Sequence, residues 1–328
     1  MKSWWIRIED GRRSFEMRDT AAPACGEDEL LVRVKAASLN RGELIVGAGL
    51  HKAGAARPAG AEAAGVVEQA GARVTRFKPG DRVMGRTAGG FAEHARMHAD
   101  EAMPVPAALD WRQAAAIPLV FAVSYDMLIA QGRLQAGQWL LVTGISSGVG
   151  VACLQLGKAL GARVVGTSGS KAKLDRLREM GLDAGLPTRE ADFAARVKEI
   201  SGGRGADVVV NNVGGTVFAE CMRACAFEGR FATVGYLDRT LTAQIDIALL
   251  HEQRLVLFGV SNKLRTTQQR AVTIAGMTRD VLPFFANGRI QPCIDRVFPL
   301  DDLPQAVAYM ESDAQVGKII VEVERGES

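Results

Sequence analysis

The stretch VTGISSGVG, residues 142–150, decides the fold. An apolar run, Trp139, Leu140, Leu141 and Val142, breaks there into a glycine-rich turn, and a helical pattern, VACLQLGKALG, begins at once. Strand, glycine turn and helix in that order form the arrangement that binds a dinucleotide pyrophosphate. Glycine lets the backbone approach the phosphates, and the helix N-terminus presents free N–H groups and the positive end of its dipole. Gly148 and Gly150 suit that approach, Val149 lends its N–H, and Ser147 stands at the helix entrance. The spacing is not the strict G-x-G-x-x-G, and an ordinary strand-to-helix turn would also use glycine.

Roughly twenty residues further on, an NAD site places an acidic side chain at the end of the second strand to hold the ribose 2′-hydroxyl. Here the chain reads ARVVGTSGSKAKL, with Thr167, Ser168 and Ser170 followed by Lys171 and Lys173. Small polar and cationic residues suit a phosphate, which favours NADPH over NADH.

The pattern then repeats. Strands are predicted at 163–165, 207–213, 230–234 and 255–260, and helices at 171–180, 191–200 and 216–227. Strands alternating with helices imply a parallel sheet covered on both faces, with ligands at the carboxyl ends of its strands. The run VVVNNV is apolar on both sides at its start, as a buried parallel strand should be, and it ends in Gly214 and Gly215.

At 328 residues, 48% of them hydrophobic, the chain is long enough for two domains. A net charge of +3 without a basic tract gives no reason to expect nucleic acid. The start, MKSWWIRIEDGRR, lacks the apolar core of a signal peptide, and the longest apolar run, 114–123, is interrupted by Pro118 and is too short to span a bilayer. Five dispersed cysteines suit a reducing compartment. A soluble, cytoplasmic protein without membrane partners is expected.

The first hundred or so residues carry short alternating segments, LLVRVKAA, AGVVEQAG and DRVMGR, divided by turn signals such as KPGD; they predict an antiparallel β barrel or sandwich. After the last parallel strand come a helix around 266–285, a short strand, a helix over DLPQAVAYMES and a closing strand, GKIIVEVE. This tail is too small to stand alone. The expected division is therefore 1–121 for a first domain, 122–260 for an inserted dinucleotide-binding domain and 261–328 for a return segment, with the active site in a cleft between the domains.

Segments through nearly the whole length carry a resemblance: VRVKAASLN, GAEAAGVVEQAGARVTRFKPGDRVMG, AAAIPLVFAVSYDML, GVGVACLQLGKALGARVVGT, ADVVVNNVGG, GRFATVG and PLDDLPQAVAYMESDAQVGKIIVEV. The chain resembles the medium-chain dehydrogenase/reductase superfamily and, within it, the zinc-free quinone oxidoreductase branch. The resemblance implies a Rossmann-type doubly wound parallel sheet inserted into a GroES-like β-barrel domain. Zinc alcohol dehydrogenases of the superfamily carry a Cys near the position of Asn40, a His before the Glu of GHE, and a four-cysteine lobe. Here the segments read SLNRGEL and GAE, with Ala61 in the place of the His and only Glu62 retained. One carboxylate is not a metal site. His94 and His98 would share a helix face, but their segment reads as a strand; Cys221 and Cys225 read as buried thiols on a helix. No metal is expected.

Without a Lewis acid, oxidation of a simple alcohol is difficult, whereas a quinone or enone delocalises the charge that arrives with a hydride. The expected activity is zinc-independent transfer of a hydride from NADPH to a quinone. The alternatives are an enone or alkenal double-bond reductase and a noncatalytic NADPH-binding, crystallin-like protein. By resemblance, Gly169 and Lys173 meet the 2′-phosphate, with Ser170 assisting, while the Tyr that supports the adenosine in relatives falls near Thr188. Asn212, Val213, Gly214, Val234 and Gly235 bring backbone against the ribose and nicotinamide. Phe258, Gly259 and Val260 end the sixth strand, whose apolar edge favours a homodimer. Asn40 faces the substrate in relatives, and a turn Asn is the equal alternative. Ile45, His51 and Val123 complete the expected substrate pocket, with His51 also readable as an exposed loop residue.

Overall fold

Five buried residues, Trp139–Thr143, form the strand that enters the glycine turn (β1). In the computed structural model, which describes residues 1–9, 12–45 and 54–323, five more strands lie parallel to it. They are Arg163–Thr167 (β2), Ala184–Leu186 (β3), Ala206–Asn211 (β4), Cys225–Thr233 (β5) and Val256–Gly259 (β6). Their spatial order is 3-2-1-4-5-6, every neighbouring pair parallel. That order reverses direction between β1 and β4, the switch point at which doubly wound sheets bind dinucleotides.

Helices Gly148–Ala159 (α1), Lys171–Glu179 (α2), Ala194–Ile200 (α3), Phe218–Ala224 (α4) and Ile247–Glu252 (α5) connect the strands. Leu141, Val165, Val209 and Phe231 of the sheet pack against Phe193, Val197, Cys221 and Met222 in one apolar cluster. Burial of each such side chain contributes about 1.5–3 kcal/mol.

Several elements are shorter than their sequence patterns suggest, β4 and α4 for reasons visible in their hydrogen bonds and backbone. β4 stops at Asn211, not at 213, because the Asn211 side chain folds onto the next turn: its Oδ1 accepts from the Val213 and Gly214 N–H groups and its amide donates to the Gly214 carbonyl. α4 covers Phe218–Ala224 and not 216–227, because Cys225 turns extended and begins β5. Cys225 is therefore a strand residue. Its thiol, buried beside the Cys221 carbonyl, is pushed up to about 12 by loss of hydration.

The chain divides into two compact units, Val123–Leu264 and the combination of Met1–Ala122 with Arg265–Ser328. In the latter, strand Glu29–Leu39 pairs antiparallel with Glu62–Ala70 along one edge, and with His94–His98 and Lys318–Glu322 along the other. The closing strand of the chain thus lies beside a strand from its beginning, and the α/β unit is an insertion between them. Arg270, on helix Thr267–Asp280, adds a second tie across this unit, donating through Nε and Nη2 to the buried Glu101 carboxylate at 2.9 and 2.7 Å. The helical region around 266–285 is two helices, the second being Leu282–Ala286, with Pro283 in its first turn.

Candidate functional site

α1 begins at the carboxyl end of β1. Ser147 caps it, its Oγ accepting from the Gly150 N–H at 3.1 Å. The N–H groups of Gly148 and Val149 have no acceptor among the described residues, so two donors at the positive end of a twelve-residue helix face outward. The turn takes its shape from β2: Gly144, in the left-handed region at φ +59°, donates to Thr167 Oγ1 at 3.3 Å, and the Ile145 N–H donates to the Thr167 carbonyl at 3.0 Å. Gly150 is required by packing. A Cβ there would lie 2.5 Å from the Ile145 carbonyl oxygen, so its missing side chain admits close approach of the helix to the turn that precedes it.

β2 ends in Thr167, which Ser168 follows, both buried, with no acidic side chain. Ser170 caps α2 by accepting from the Lys173 N–H. Lys171 is paired with Asp175 four residues on, at 3.0 Å, which fits a solvated surface charge.

At the switch point, Thr143 Oγ1 donates to Asn211 Oδ1 at 3.0 Å and accepts from the Asn212 N–H at 3.1 Å; the Asn212 amide donates to the Thr143 carbonyl at 2.9 Å. The side chains of Asn211 and Asn212 therefore lock the ends of β1 and β4 together. Gly214 has φ +128°, and a Cβ on it would lie 2.1 Å from Asp238 Oδ1. Gly235 packs on the Asn212 carbonyl in the same way, at 2.7 Å. Ser147, Gly148, Val149, Gly150, Asn212, Val213, Gly214, Val234 and Gly235 thus share the carboxyl edge around β1, β4 and β5. Phe258 and Gly259 end the edge strand β6, opposite Ala232 and Thr233 at the carboxyl end of β5, and Val260 follows them.

The other unit holds a buried charge cluster. Glu62 Oε1 accepts from Lys318 Nζ at 2.9 Å, from Asn40 Nδ2 at 2.8 Å and from the Ser38 hydroxyl, while Oε2 accepts from the Leu119 N–H at 2.7 Å. Asn40 Nδ2 also donates to Glu43 Oε1 at 3.2 Å, and Asn40 Oδ1 accepts from Lys318 Nζ at 2.8 Å. Both amide hydrogens of Asn40 are directed at carboxylates, which leaves no donor for a substrate oxygen. Glu43 is fully buried, and loss of hydration pushes its carboxyl up to about 7. Sequence reasoning missed Glu43 and Lys318. The only signal for them was two charged residues within otherwise apolar patterns.

Among the described residues no group of three His, Cys, Asp or Glu side chains could hold a metal. His94 and His98 lie on one strand, about 13 Å apart at four residues' separation; His94 pairs with Glu68 at 2.9 Å. Ile45 and Val123 are half-buried. Ile45 follows the short helix Arg41–Leu44, whereas Val123 opens the α/β unit. His51 lies outside the described residues.

Two family models match the chain, the alcohol dehydrogenase GroES-like domain over residues 26–107 and the zinc-binding dehydrogenase over residues 148–275. The chain belongs to the medium-chain dehydrogenase/reductase superfamily. Among curated relatives it is 28% identical over 323 residues to highly-reducing polyketide synthase 1 of Aureobasidium melanogenum, covering 96% of this chain and 14% of that protein. It spans only a small part of the polyketide synthases it matches. A mycobacterial protein solved in complex with NADPH superposes with a TM-score of 0.88 at 23% identity, covering 98% of this chain and all of that one. A quinone oxidoreductase of Pseudomonas syringae superposes with a TM-score of 0.85 at 25% identity, covering 98% and 100%. No described helix is long and apolar enough to cross a membrane.

Proposed function

We propose that this protein is an NADPH-dependent reductase that passes a hydride to a conjugated acceptor, a quinone foremost, without a catalytic zinc. The observation that carries this reading is the pair of free N–H groups on Gly148 and Val149, beside a β2 strand that ends in hydroxyl side chains and no acid. The residues fit a dinucleotide phosphate. The helix terminus meets the pyrophosphate, and the end of β2 carries nothing that would repel a 2′-phosphate. The mycobacterial structure of the same fold holds NADPH.

Bound NADPH would supply the hydride from its nicotinamide ring. The chain's own part is to hold the cofactor at the locked switch point of Thr143, Asn211 and Asn212, and to keep water from the reacting atoms. Zinc independence is supported by the donor chemistry. Both oxygens of Glu62 are engaged by Ser38, Asn40, Lys318 and Leu119, and its neighbour is Ala61, which offers no ligand. Such a site favours acceptors that delocalise charge by themselves. The polyketide synthase relatives favour a second reading on the same scaffold, reduction of a conjugated carbon–carbon double bond.

Cofactor oxidation measured in turn with benzoquinone, phenanthrenequinone, an α,β-unsaturated ketone and its saturated ketone separates these readings. Turnover of the quinones supports the first and preference for the enone supports the second. Activity with the saturated ketone alone would sink both.

A further inference from the structure

Arg86 ends the strand Arg82–Arg86, and the glycine before it lets a buried acid come to its side. A Cβ on Gly85 would lie 2.6 Å from the Glu101 carbonyl oxygen and 2.7 Å from Met97 Sδ. The short turn Ala99–Glu101 therefore packs directly on this strand, which also pairs Gly85 with Ala102. Glu101 is buried there.

One carboxylate then serves two guanidinium groups. Arg270 takes Glu101 Oε1 through Nε and Nη2, and its remaining donors are spent on the Arg265 carbonyl and on Thr267 Oγ1 at 3.1 Å. Arg86 Nη1 comes only within 3.8 Å of Glu101 Oε2, beyond hydrogen-bond reach. Glu62 stands opposite Arg86 in the strand pairing, but both its oxygens are engaged by Ser38, Asn40, Lys318 and Leu119. Arg86 therefore makes no hydrogen bond among the described residues, although its side chain is only 43% exposed. Burial first, and the Arg270 charge second, push the Arg86 guanidinium below its ordinary value against the pull of Glu101. The cation is under-compensated. Two cations on one anion, with the donors of a planar fork unspent and partly withdrawn from water, suit a further oxyanion.

We infer that Arg86, backed by Arg270, forms an oxyanion site that takes a phosphate or carboxylate group, carried by an acceptor substrate or present as a free ion. The inference does not rest on the dinucleotide reading. Arg86 supplies the fork that grips the anion, Arg270 supplies a second charge behind it, and Glu101 keeps Arg270 in place.

The test is titration of the intact protein with inorganic phosphate, followed in NMR spectra of the arginine Nε–H groups. The signal that Arg86→Gln removes is expected to move on titration of the parent, and the Arg270 signal should follow it. In Arg86→Gln the Arg270 signal should need about ten- to a hundredfold more phosphate to respond. An Arg86 signal that stays still overturns the inference, and so does an Arg270 response that is the same in parent and variant. NADPH oxidation with acetylacrylate and with methyl vinyl ketone, a neutral enone, identifies the source of the anion. If KM for acetylacrylate rises about tenfold in Arg86→Gln relative to that for the neutral enone, the anion belongs to the substrate. An unchanged ratio beside phosphate binding at Arg86 makes it a free ion. A parent that turns over neither enone nor quinone sinks the proposed reductase, while the phosphate titration still decides this site.

Discussion

Ile145 fills the volume that a side chain on Gly166 would need: a Cβ on Gly166 would lie 2.3 Å from Ile145 Cδ1 and 2.7 Å from Cγ2. The turn after β1 is thereby keyed against the carboxyl end of β2, and the Ile145 side chain is fully buried. Gly166→Ala overpacks this contact and is expected to destabilise the protein by about 1–3 kcal/mol. Combined with Ile145→Ala, which vacates the same space, it should recover much of that loss. Urea denaturation of the two single variants and the double variant checks this. A Gly166→Ala protein as stable as the parent would refute the keyed turn.

Lys318 and Glu62 form a buried ion pair, both under about a tenth exposed. Removing one partner of such a pair leaves an uncompensated charge and costs about 3–5 kcal/mol. Lys318→Met is expected to fall in that range, and adding Glu62→Gln should restore part of it. The denaturation midpoints of the two proteins report the outcome. A double variant no more stable than Lys318→Met would show that the ammonium acts by packing alone.

Glu43 gives a pH signature. Burial raises its carboxyl from the ordinary 4.5 to about 7; the facing Glu62 carboxylate adds to the rise, while Asn40 and Lys318 oppose it. Between those values the folded protein keeps a proton that the unfolded chain gives up. Stability therefore falls as pH rises through this window, and the loss is complete above about pH 7. It amounts to roughly 3 kcal/mol. Glu43→Gln should behave like the parent near about pH 4 and exceed it in Tm near about pH 8. Parallel Tm curves for the two proteins across the window would contradict the assignment.

The nucleotide turn was legible in the sequence because its signal is local: an apolar strand, glycines and a helical period follow one another within twenty residues or so. The features that refine it are contacts between distant positions. Ile145 meets Gly166, Gly169 meets Arg189, and Asn40 meets Lys318 across almost the whole chain. Asn40 read equally as a substrate contact or a turn residue, since an isolated amide carries no record of which carboxylates surround it. The end of β4 was misplaced by two residues because Asn211 reads as a strand residue until its side chain is seen binding the Val213 and Gly214 backbone.

The most direct test of zinc-independent, NADPH-dependent reduction is the rate of NADPH oxidation with benzoquinone by protein stripped of metal with a chelator. Turnover that survives stripping, and does not rise when zinc is added back, is the required result. Activity that disappears on stripping and returns only with zinc would contradict the proposed chemistry.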